Sequence, residues 1–203
     1  MVAELRRRER ERPLDYVRWL RGQDAFLRCQ AKRKCYRSGN QLMGKTWAGC
    51  AETWWRLDRS HPFRPDLNAK PPPVGIVVGA TWPQCNTIQA KMWSLCERSK
   101  LAEGCEFDPA KGAFRGKYPT LRHVNGGIIH FVAAAGDVLS IAGKTVDFVW
   151  IDEPISDPRL YSELLARLRR KNGDLYMTFT PVNAREEWLR YESEAARITD
   201  LHF

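Results

Sequence analysis

Apolar runs of strand length alternate with segments of helical spacing through most of the chain. The continuous apolar run at residues 74–80 has the form of a strand buried on both faces, and further strands are predicted at residues 31–36, 127–132, 147–152 and 174–180. The segments with helical spacing are residues 45–57, 83–101, 158–171 and 184–196. Strands that alternate with helices predict an α/β fold, with a mainly parallel central sheet flanked by helices and right-handed crossovers.

The segments between these elements are more polar. Residues 14–27 predict a short helical lead-in, the proline-rich residues 58–73 a connecting loop, and the glycine-containing residues 104–126 irregular surface. With 203 residues, of which 43% are hydrophobic and 28% charged, the chain can form one good core. We therefore expect a single domain over residues 1–203 that includes a basic lead-in at residues 1–22.

The balance of charge favours a polyanionic partner such as nucleic acid. Lys and Arg number 33 against 24 Asp and Glu, which gives a formal charge of +9. Ordinary solubility charge is the alternative, because net charge informs about association and not about fold. The densest basic run, residues 6–12, mixes both signs and equally fits a solvated terminus.

Membrane and disulfide classes are disfavoured. No stretch reaches the roughly 18 apolar residues of a membrane span, and the first residues are charged where a signal peptide needs an apolar run. The six cysteines include no CxxC pair, so we expect reduced, structural thiols and neither a zinc site nor a disulfide framework. The expected location is the cytosol, without a membrane partner.

A phosphate-binding motif lies between the first predicted strand and the helix at residues 45–57. Gly39 and Gly44 are separated by four residues and precede Lys45 and Thr46, which is the Walker A pattern. Its glycines let backbone N–H groups wrap a β-phosphate at a helix N-terminus. Lys45 is expected to reach the β- and γ-phosphates and Thr46 to bind Mg²⁺. The predicted ATP-binding segment is Ser38, Gly39, Asn40, Gln41, Leu42, Met43, Gly44, Lys45 and Thr46. A glycine-rich turn without a ligand is the alternative.

A buried strand that ends in two acids, at residues 147–153, has the form of a Walker B element. The carboxyl edge of a parallel sheet is where ligands bind, so Asp152 is expected beside the phosphate loop, holding Mg²⁺ through water. Glu153 is expected to act as the general base on the attacking water. A second Gly-Lys-Thr, at residues 143–145, precedes a strand and not a helix, so we interpret it as a loop.

The tryptophans near these two motifs are expected to pack in the core and not to stack on bases. Trp47, Trp54 and Trp55 lie in the helix at residues 45–57, and Trp150 lies inside the strand at residues 147–152.

The strand at residues 174–180 ends in Thr180-Pro181, and a hydroxyl there can sense the γ-phosphate or the water; a simple strand-end turn is the alternative. Together, residues 37–41, 44–46, 149–153 and 178–181 resemble the N-terminal ATPase of large terminase subunits from tailed bacteriophages. The resemblance spans roughly residues 23–183, and the Arg-Ser-Gly-Asn-Gln start and the Thr-Pro strand make it more specific than the Walker motifs alone.

The resemblance implies an additional-strand, RecA-like P-loop ATPase that moves double-stranded DNA into a procapsid. It implies that Gln23 reads adenine, with Gln30 a weaker candidate, that Arg37 touches the γ-phosphate and that Thr180 is the sensor of a coupling motif. A neighbouring subunit supplies an arginine finger in this family, for which Arg115 and Arg122 are candidates by position.

The resemblance also implies the partners and the location. The partners are a homo-oligomeric ring, the portal protein and the small terminase subunit, and the location is the host cytoplasm with transient binding at the procapsid portal vertex.

Full large terminases also carry a nuclease domain, and the sequence ends at Phe203, so no DNA cleavage is expected from this chain. Two other functions stay open. A DEAD-box-like helicase or another nucleic-acid-dependent ATPase shares both Walker motifs, although a helicase needs a second RecA-like domain. A nucleic-acid-binding module that keeps a P-loop without hydrolysis is the non-enzymatic alternative, against which Lys45, Thr46, Asp152 and Glu153 speak.

Overall fold

The computed structural model describes residues 2–39, 43–116, 118–136 and 143–180, together with the backbone of residues 199–202. The described helices are α1 (Val2–Glu11), α2 (Arg21–Arg28), α3 (Lys45–Asp58), α4 (Pro65–Asn68), α5 (Trp82–Leu95) and α6 (Pro158–Arg169). The described strands are β1 (Arg33–Arg37), β2 (Val74–Gly79), β3 (Phe107–Asp108), β4 (Ala113–Phe114), β5 (Thr120–Arg122), β6 (Ile128–Ala133), β7 (Phe148–Asp152), β8 (Asp174–Phe179) and β9 (Thr199–His202). Asn40, Gln41, Leu42 and the predicted helix at 184–196 lie outside the described residues.

The central sheet contains seven strands in the order β5-β6-β2-β7-β8-β1-β9. All neighbours pair in parallel except β5, which runs antiparallel to β6 at one edge. The predicted α/β fold with a mainly parallel sheet is therefore confirmed. Because β8 lies between β1 and β7, the segments that follow these three strands meet at one edge of the sheet.

Two apolar cores cover the two faces of the sheet. Helices α2, α3 and α5 pack on one face around the fully buried indole of Trp150, as predicted for this residue, and α6 packs on the other. A Cβ at Gly49 would come within 2.0 Å of the Trp150 ring, so only glycine allows α3 to approach β7 this closely. Trp54 and Trp55 are buried as expected, whereas Trp47 is 36% exposed because it lies on the outer face of α3.

A buried network of charges joins α3 to the amino-terminal ends of β1 and β8. Glu52 lies 3.0 Å from the Lys34 ammonium, 2.8 Å from the Arg56 guanidinium and 3.0 Å from the His61 ring. Arg56 also binds Asp174 at 2.7 Å. Burial alone raises the pKa of Glu52, but Lys34 and Arg56 hold it well below its ordinary value. The network fixes the position of α3 at the edge opposite the loop of the phosphate motif.

Polar contacts of Asp58 fix the last turn of α3. Its carboxylate accepts a hydrogen bond of 2.9 Å from Lys100 and lies 3.0 Å from the His123 Nε2. Burial raises the pKa of Asp58, but the hydrogen bonds from His123, Ser60 and Lys100 outweigh it and lower the pKa to about 2.

Residues 104–126, predicted to be irregular, contain the short strands β3, β4 and β5. Aromatic packing explains this difference: the Phe107 ring stacks on Trp93 at 5.1 Å, and Phe114 stacks on Phe131 at 5.8 Å. The helix predicted at 83–101 ends at Leu95, and the loop at 58–73 contains α4.

The amino-terminal residues form α1, whose residues are not buried and whose arginines pair with Glu4 and Glu11. The lead-in predicted at residues 14–27 is a 3₁₀ turn at Pro13–Tyr16 followed by α2. All six cysteines are free thiols. No helix in the described part of the chain has the length and apolar composition needed to span a bilayer.

Candidate functional site

The phosphate motif connects β1 to the N-terminus of α3, as its sequence context predicts. Gly44 adopts the left-handed conformation with φ of 62°, which turns the chain into the helix at Lys45. The Lys45 ammonium donates hydrogen bonds of 2.8 Å to the Gly39 carbonyl and 3.4 Å to the Ser38 carbonyl. The lysine therefore lies across the described ends of the loop, where a bound anion would compete for it. The Tyr36 hydroxyl donates to the Met43 carbonyl at 3.1 Å.

Gln23 is buried against the end of this loop. Its amide Nε2 donates to the Gly44 carbonyl at 2.9 Å, and its Oε1 accepts a hydrogen bond of 2.9 Å from the Leu20 N–H. A Cβ at Gly44 would come within 2.2 Å of the Gln23 amide nitrogen, so the contact requires glycine. Gln30 instead donates to the Phe63 carbonyl, away from the loop. Of the two glutamines, only Gln23 adjoins the phosphate motif.

Asp152 ends β7 and meets the first turn of α3. The Thr46 hydroxyl donates to Asp152 Oδ2 at 3.1 Å, and the Asp152 side chain is almost fully buried. A hydroxyl and a carboxylate are hard oxygen ligands of the kind that Mg²⁺ prefers. The residues present therefore fit a magnesium ion at this position, and the cation would balance the buried carboxylate.

A relay of hydrogen bonds orients the other Asp152 oxygen. The Thr178 hydroxyl donates to Asp152 Oδ1 at 2.6 Å and accepts a hydrogen bond of 2.8 Å from the Trp150 indole N–H. Gln84 adds a contact to the Asp152 carbonyl at 3.0 Å. The sequence analysis does not predict these partners of Asp152, although Thr178 lies in the strand that ends in Thr180. Its alternation with Thr180 places both hydroxyls on one face of β8 and is the signal available in the sequence.

The pKa of Asp152 is raised to about 6. Burial is the main cause and the neighbouring Glu153 carboxylate adds to it, while the hydrogen bonds from Thr178 and Thr46 act in the opposite direction. The buried Asp152 thus adjoins the partly buried Glu153, and no described ion pair compensates its charge. A buried acid with a raised pKa is typical of functional sites.

Glu153 adopts a left-handed backbone conformation, with φ of 67°, that residues other than glycine rarely adopt. Its N–H donates to the Thr178 carbonyl at 2.8 Å. Both carboxylate oxygens are held by Thr180, from the hydroxyl at 3.1 Å and from the backbone N–H at 3.1 Å. The strained turn therefore aims the Glu153 carboxylate at the end of β8.

The remaining predicted residues lie at different distances from this site. Arg37 ends β1, where it pairs in register with Phe179, and thus stands beside the phosphate loop. Arg122 lies in β5, at the far edge of the sheet. Arg115, which precedes β5 in the sequence, forms an exposed ion pair of 2.7 Å with Glu106. Residues 143–145 precede β7 without a following helix, in agreement with their interpretation as a loop.

The geometry brings together the lysine of the phosphate motif, a hydroxyl and carboxylate pair that fits a cation, and a second carboxylate held by a threonine. A cation site next to a second carboxylate suits hydrolytic phosphoryl transfer. These distances do not test the role of any single residue, so the roles stay predictions.

No protein-family model matches the chain, and no curated protein matches it by sequence. Solved structures do match. The ATPase domain of the large terminase of Thermus phage P74-26 superposes with a TM-score of 0.59 and 19% identity, over 80% of this chain and 65% of that chain. The large terminase of another thermophilic bacteriophage superposes with a TM-score of 0.65 and 13% identity, over 92% of this chain and 46% of that chain.

A second structure of the latter terminase, in complex with ADP, matches with a TM-score of 0.62 and 14% identity, over 92% of this chain and 45% of that chain. The chain thus spans 65% of the Thermus phage structure and less than half of the other terminase. The likeness shows the fold, which is that of large terminase ATPase domains, as the motifs led us to expect.

Proposed function

We propose that this chain, which has the fold of large terminase ATPase domains, is a Mg²⁺-dependent ATPase that drives double-stranded DNA into a viral procapsid. The observation that carries the proposal is the meeting of Thr46 and Asp152 at 3.1 Å, directly beside Glu153, at the end of the phosphate loop. The three residues come from α3, β7 and the turn after β7, so the fold itself assembles the site.

ATP binding follows from the first turn of α3. The N–H groups at this helix N-terminus attract phosphate. Lys45 would exchange the carbonyls of Ser38 and Gly39 for β- and γ-phosphate oxygens, which are charged and therefore stronger acceptors. Thr46 and Asp152 would hold Mg²⁺, whose chemistry is to neutralise charge that develops on the phosphates. We assign Gln23 to nucleotide recognition and Arg37 to the γ-phosphate.

Hydrolysis requires a base for the attacking water, and we assign this role to Glu153. Each Glu153 oxygen accepts one hydrogen bond from Thr180 and keeps a second lone pair, with which the carboxylate could take the proton of the water. These two hydrogen bonds link the carboxylate of Glu153 to the end of β8. Thr180 would sense catalysis through this contact.

The transport part of the proposal rests on the fold and on charge. The formal charge of +9 suits a DNA partner, and the matched structures are large terminases. We further propose that the chain works as a homo-oligomeric ring on the portal protein, together with a small terminase subunit. Its location would be the host cytoplasm and, transiently, the procapsid portal vertex. A neighbouring subunit would supply the arginine finger.

Steady-state ATP hydrolysis with Mg²⁺ tests the enzymatic part. We expect Lys45→Ala to lose nucleotide binding, and Glu153→Gln to bind ATP and lose turnover. Glu103→Gln, which removes an equal charge from an exposed surface position, is the matched control and should behave like the wild type. Equal turnover in wild type, Lys45→Ala and Glu153→Gln would refute the assignment of the site.

A dilution series tests the ring. An arginine supplied by a neighbour makes turnover per subunit rise as the chain assembles. A rate per subunit that stays constant through assembly would argue against a finger in trans.

A further inference from the structure

A solvent-open cavity of about 480 Å³ lies at the edge of the sheet formed by β5 and β6. His130 and Val132 line it from β6, on the face of the sheet on which α6 packs against β7. Tyr118, Arg122 and Lys144 also line it. The cavity is separate from the phosphate loop. It lies four strands from β1, a distance of about 19 Å at the usual strand spacing.

The charged groups of the cavity are cationic. Arg115, Arg122 and Lys144 line it, and no carboxylate does so in the part of the chain that the structure describes. Arg115 already pairs with Glu106, whereas neither Arg122 nor Lys144 forms an ion pair with any described residue. Arg122 and Lys144 thus give the cavity a positive charge that no carboxylate among its described lining residues balances, and this charge suits an anionic ligand.

The pKa of His130, inside the cavity, reflects the positive charge of the same two cations. Burial, together with the charges of Lys144 and Arg122, lowers the pKa of this histidine to about 4. The imidazole is therefore neutral at pH 7 and does not repel the cations. A neutral ring can also donate one hydrogen bond to an anionic oxygen.

We propose that this cavity binds the phosphodiester backbone of double-stranded DNA, through Arg122 and Lys144. The inference rests on the proposed function, because it supplies the surface on which the transported polymer would be held. Cations that bind phosphates without contacting bases hold DNA independently of its sequence, as a translocating protein requires. The cavity shares no lining residue with the proposed nucleotide site, so the two can be tested apart.

The test compares DNA affinity over a range of salt concentrations for two double variants of equal charge. Arg122→Ala/Lys144→Ala removes the cavity cations, and Arg169→Ala/Arg170→Ala removes two exposed cations at the end of α6. Two lost phosphate contacts decrease the slope of log K against log salt by about 1.8. Between 50 and 200 mM salt, the advantage of wild type over the cavity variant should therefore shrink by about 12-fold.

The same shift should be absent from the Arg169→Ala/Arg170→Ala variant. Arg122→Lys/Lys144→Arg, which keeps both charges, should restore the wild-type slope. ATP binding, measured with a fluorescent analogue, should be unchanged in all variants. In the wild type, bound DNA should protect Lys144 from acetylation by an amine reagent, and this readout does not depend on the folding of any variant.

Several results would overturn the inference. One is an equal loss of DNA affinity in both alanine variants, because net charge alone would then explain the binding. Another is a wild type that hydrolyses ATP but binds no DNA at 50 mM salt. A cavity variant that keeps DNA affinity and loses turnover would assign the cations to nucleotide phosphates instead. Absence of ATP binding in the wild type would refute the proposed function itself, which is a separate outcome.

Discussion

Replacing Thr178 with valine removes one hydroxyl from the centre of the site and preserves the volume of the side chain. That hydroxyl is the only described link between the Trp150 indole and Asp152, with hydrogen bonds of 2.8 Å and 2.6 Å. A hydrogen bond to a charged group contributes about 1.5–3 kcal/mol, and a buried indole N–H without a partner costs about 1–3 kcal/mol. We expect Thr178→Val to lower the free energy of unfolding by about 3 kcal/mol.

For a chain of 203 residues this loss corresponds to a decrease in Tm of about 6–12 °C. Because Asp152 loses the partner that orients it, the Mg²⁺ concentration for half-maximal turnover should rise about tenfold or more, which a merely structural role would leave unchanged. The assays are thermal denaturation without nucleotide and ATP hydrolysis during a Mg²⁺ titration.

Thr178→Ser keeps the hydroxyl and is the matched control, expected to retain the wild-type Mg²⁺ dependence. Trp150→Phe, combined with Thr178→Val in a double-mutant cycle, should cost less than the sum of the two single changes, because both remove the same hydrogen bond. A Thr178→Val variant with unaltered Tm and Mg²⁺ dependence would refute the relay.

Three further changes probe other parts of the molecule. Gly49→Ala places a Cβ within 2.0 Å of the Trp150 ring, so urea denaturation should show a loss of about 3 kcal/mol; wild-type stability would contradict this packing. Asp58→Asn should cost about 2 kcal/mol at pH 7. A carboxyl group whose pKa is lower in the folded state stabilises the fold at pH values above its unfolded pKa of 3.8. The difference in unfolding free energy between Asp58→Asn and wild type should therefore disappear as the pH falls from about 4 to 2. Gln23→Ala should raise the KM for ATP about tenfold, equivalent to about 1.4 kcal/mol, whereas Gln30→Ala should not; equal KM values would remove Gln23 from the site.

The central strands are predictable from the sequence because they are buried on both faces and thus continuously apolar. The strand predicted at 74–80 corresponds to β2, at Val74–Gly79, and the one at 147–152 to β7, at Phe148–Asp152. Turn chemistry also predicts where α3 begins, since Gly44 must take a left-handed conformation directly before Lys45. The parallel order then places the Walker residues at one edge.

The short strands and the side-chain network are not predictable in the same way. Strands β3 and β4 contain two residues each, too few for any periodicity, and long-range stacking of Phe107 and Phe114 stabilises them. The contact from Thr178 to Asp152 depends on the register of β7 and β8, and a single sequence does not define that register.

The double anchoring of α3 has a mechanical consequence. This helix of 14 residues is about 21 Å long, and polar contacts fix it at both ends: Thr46 at the nucleotide edge, and Glu52, Arg56 and Asp58 toward the opposite edge. Bending or sliding such a rod requires breaking buried ion pairs, which is strongly unfavourable. A displacement at the proposed nucleotide site would therefore reach the amino-terminal ends of β1 and β8 through these ion pairs, instead of being absorbed by bending of the helix.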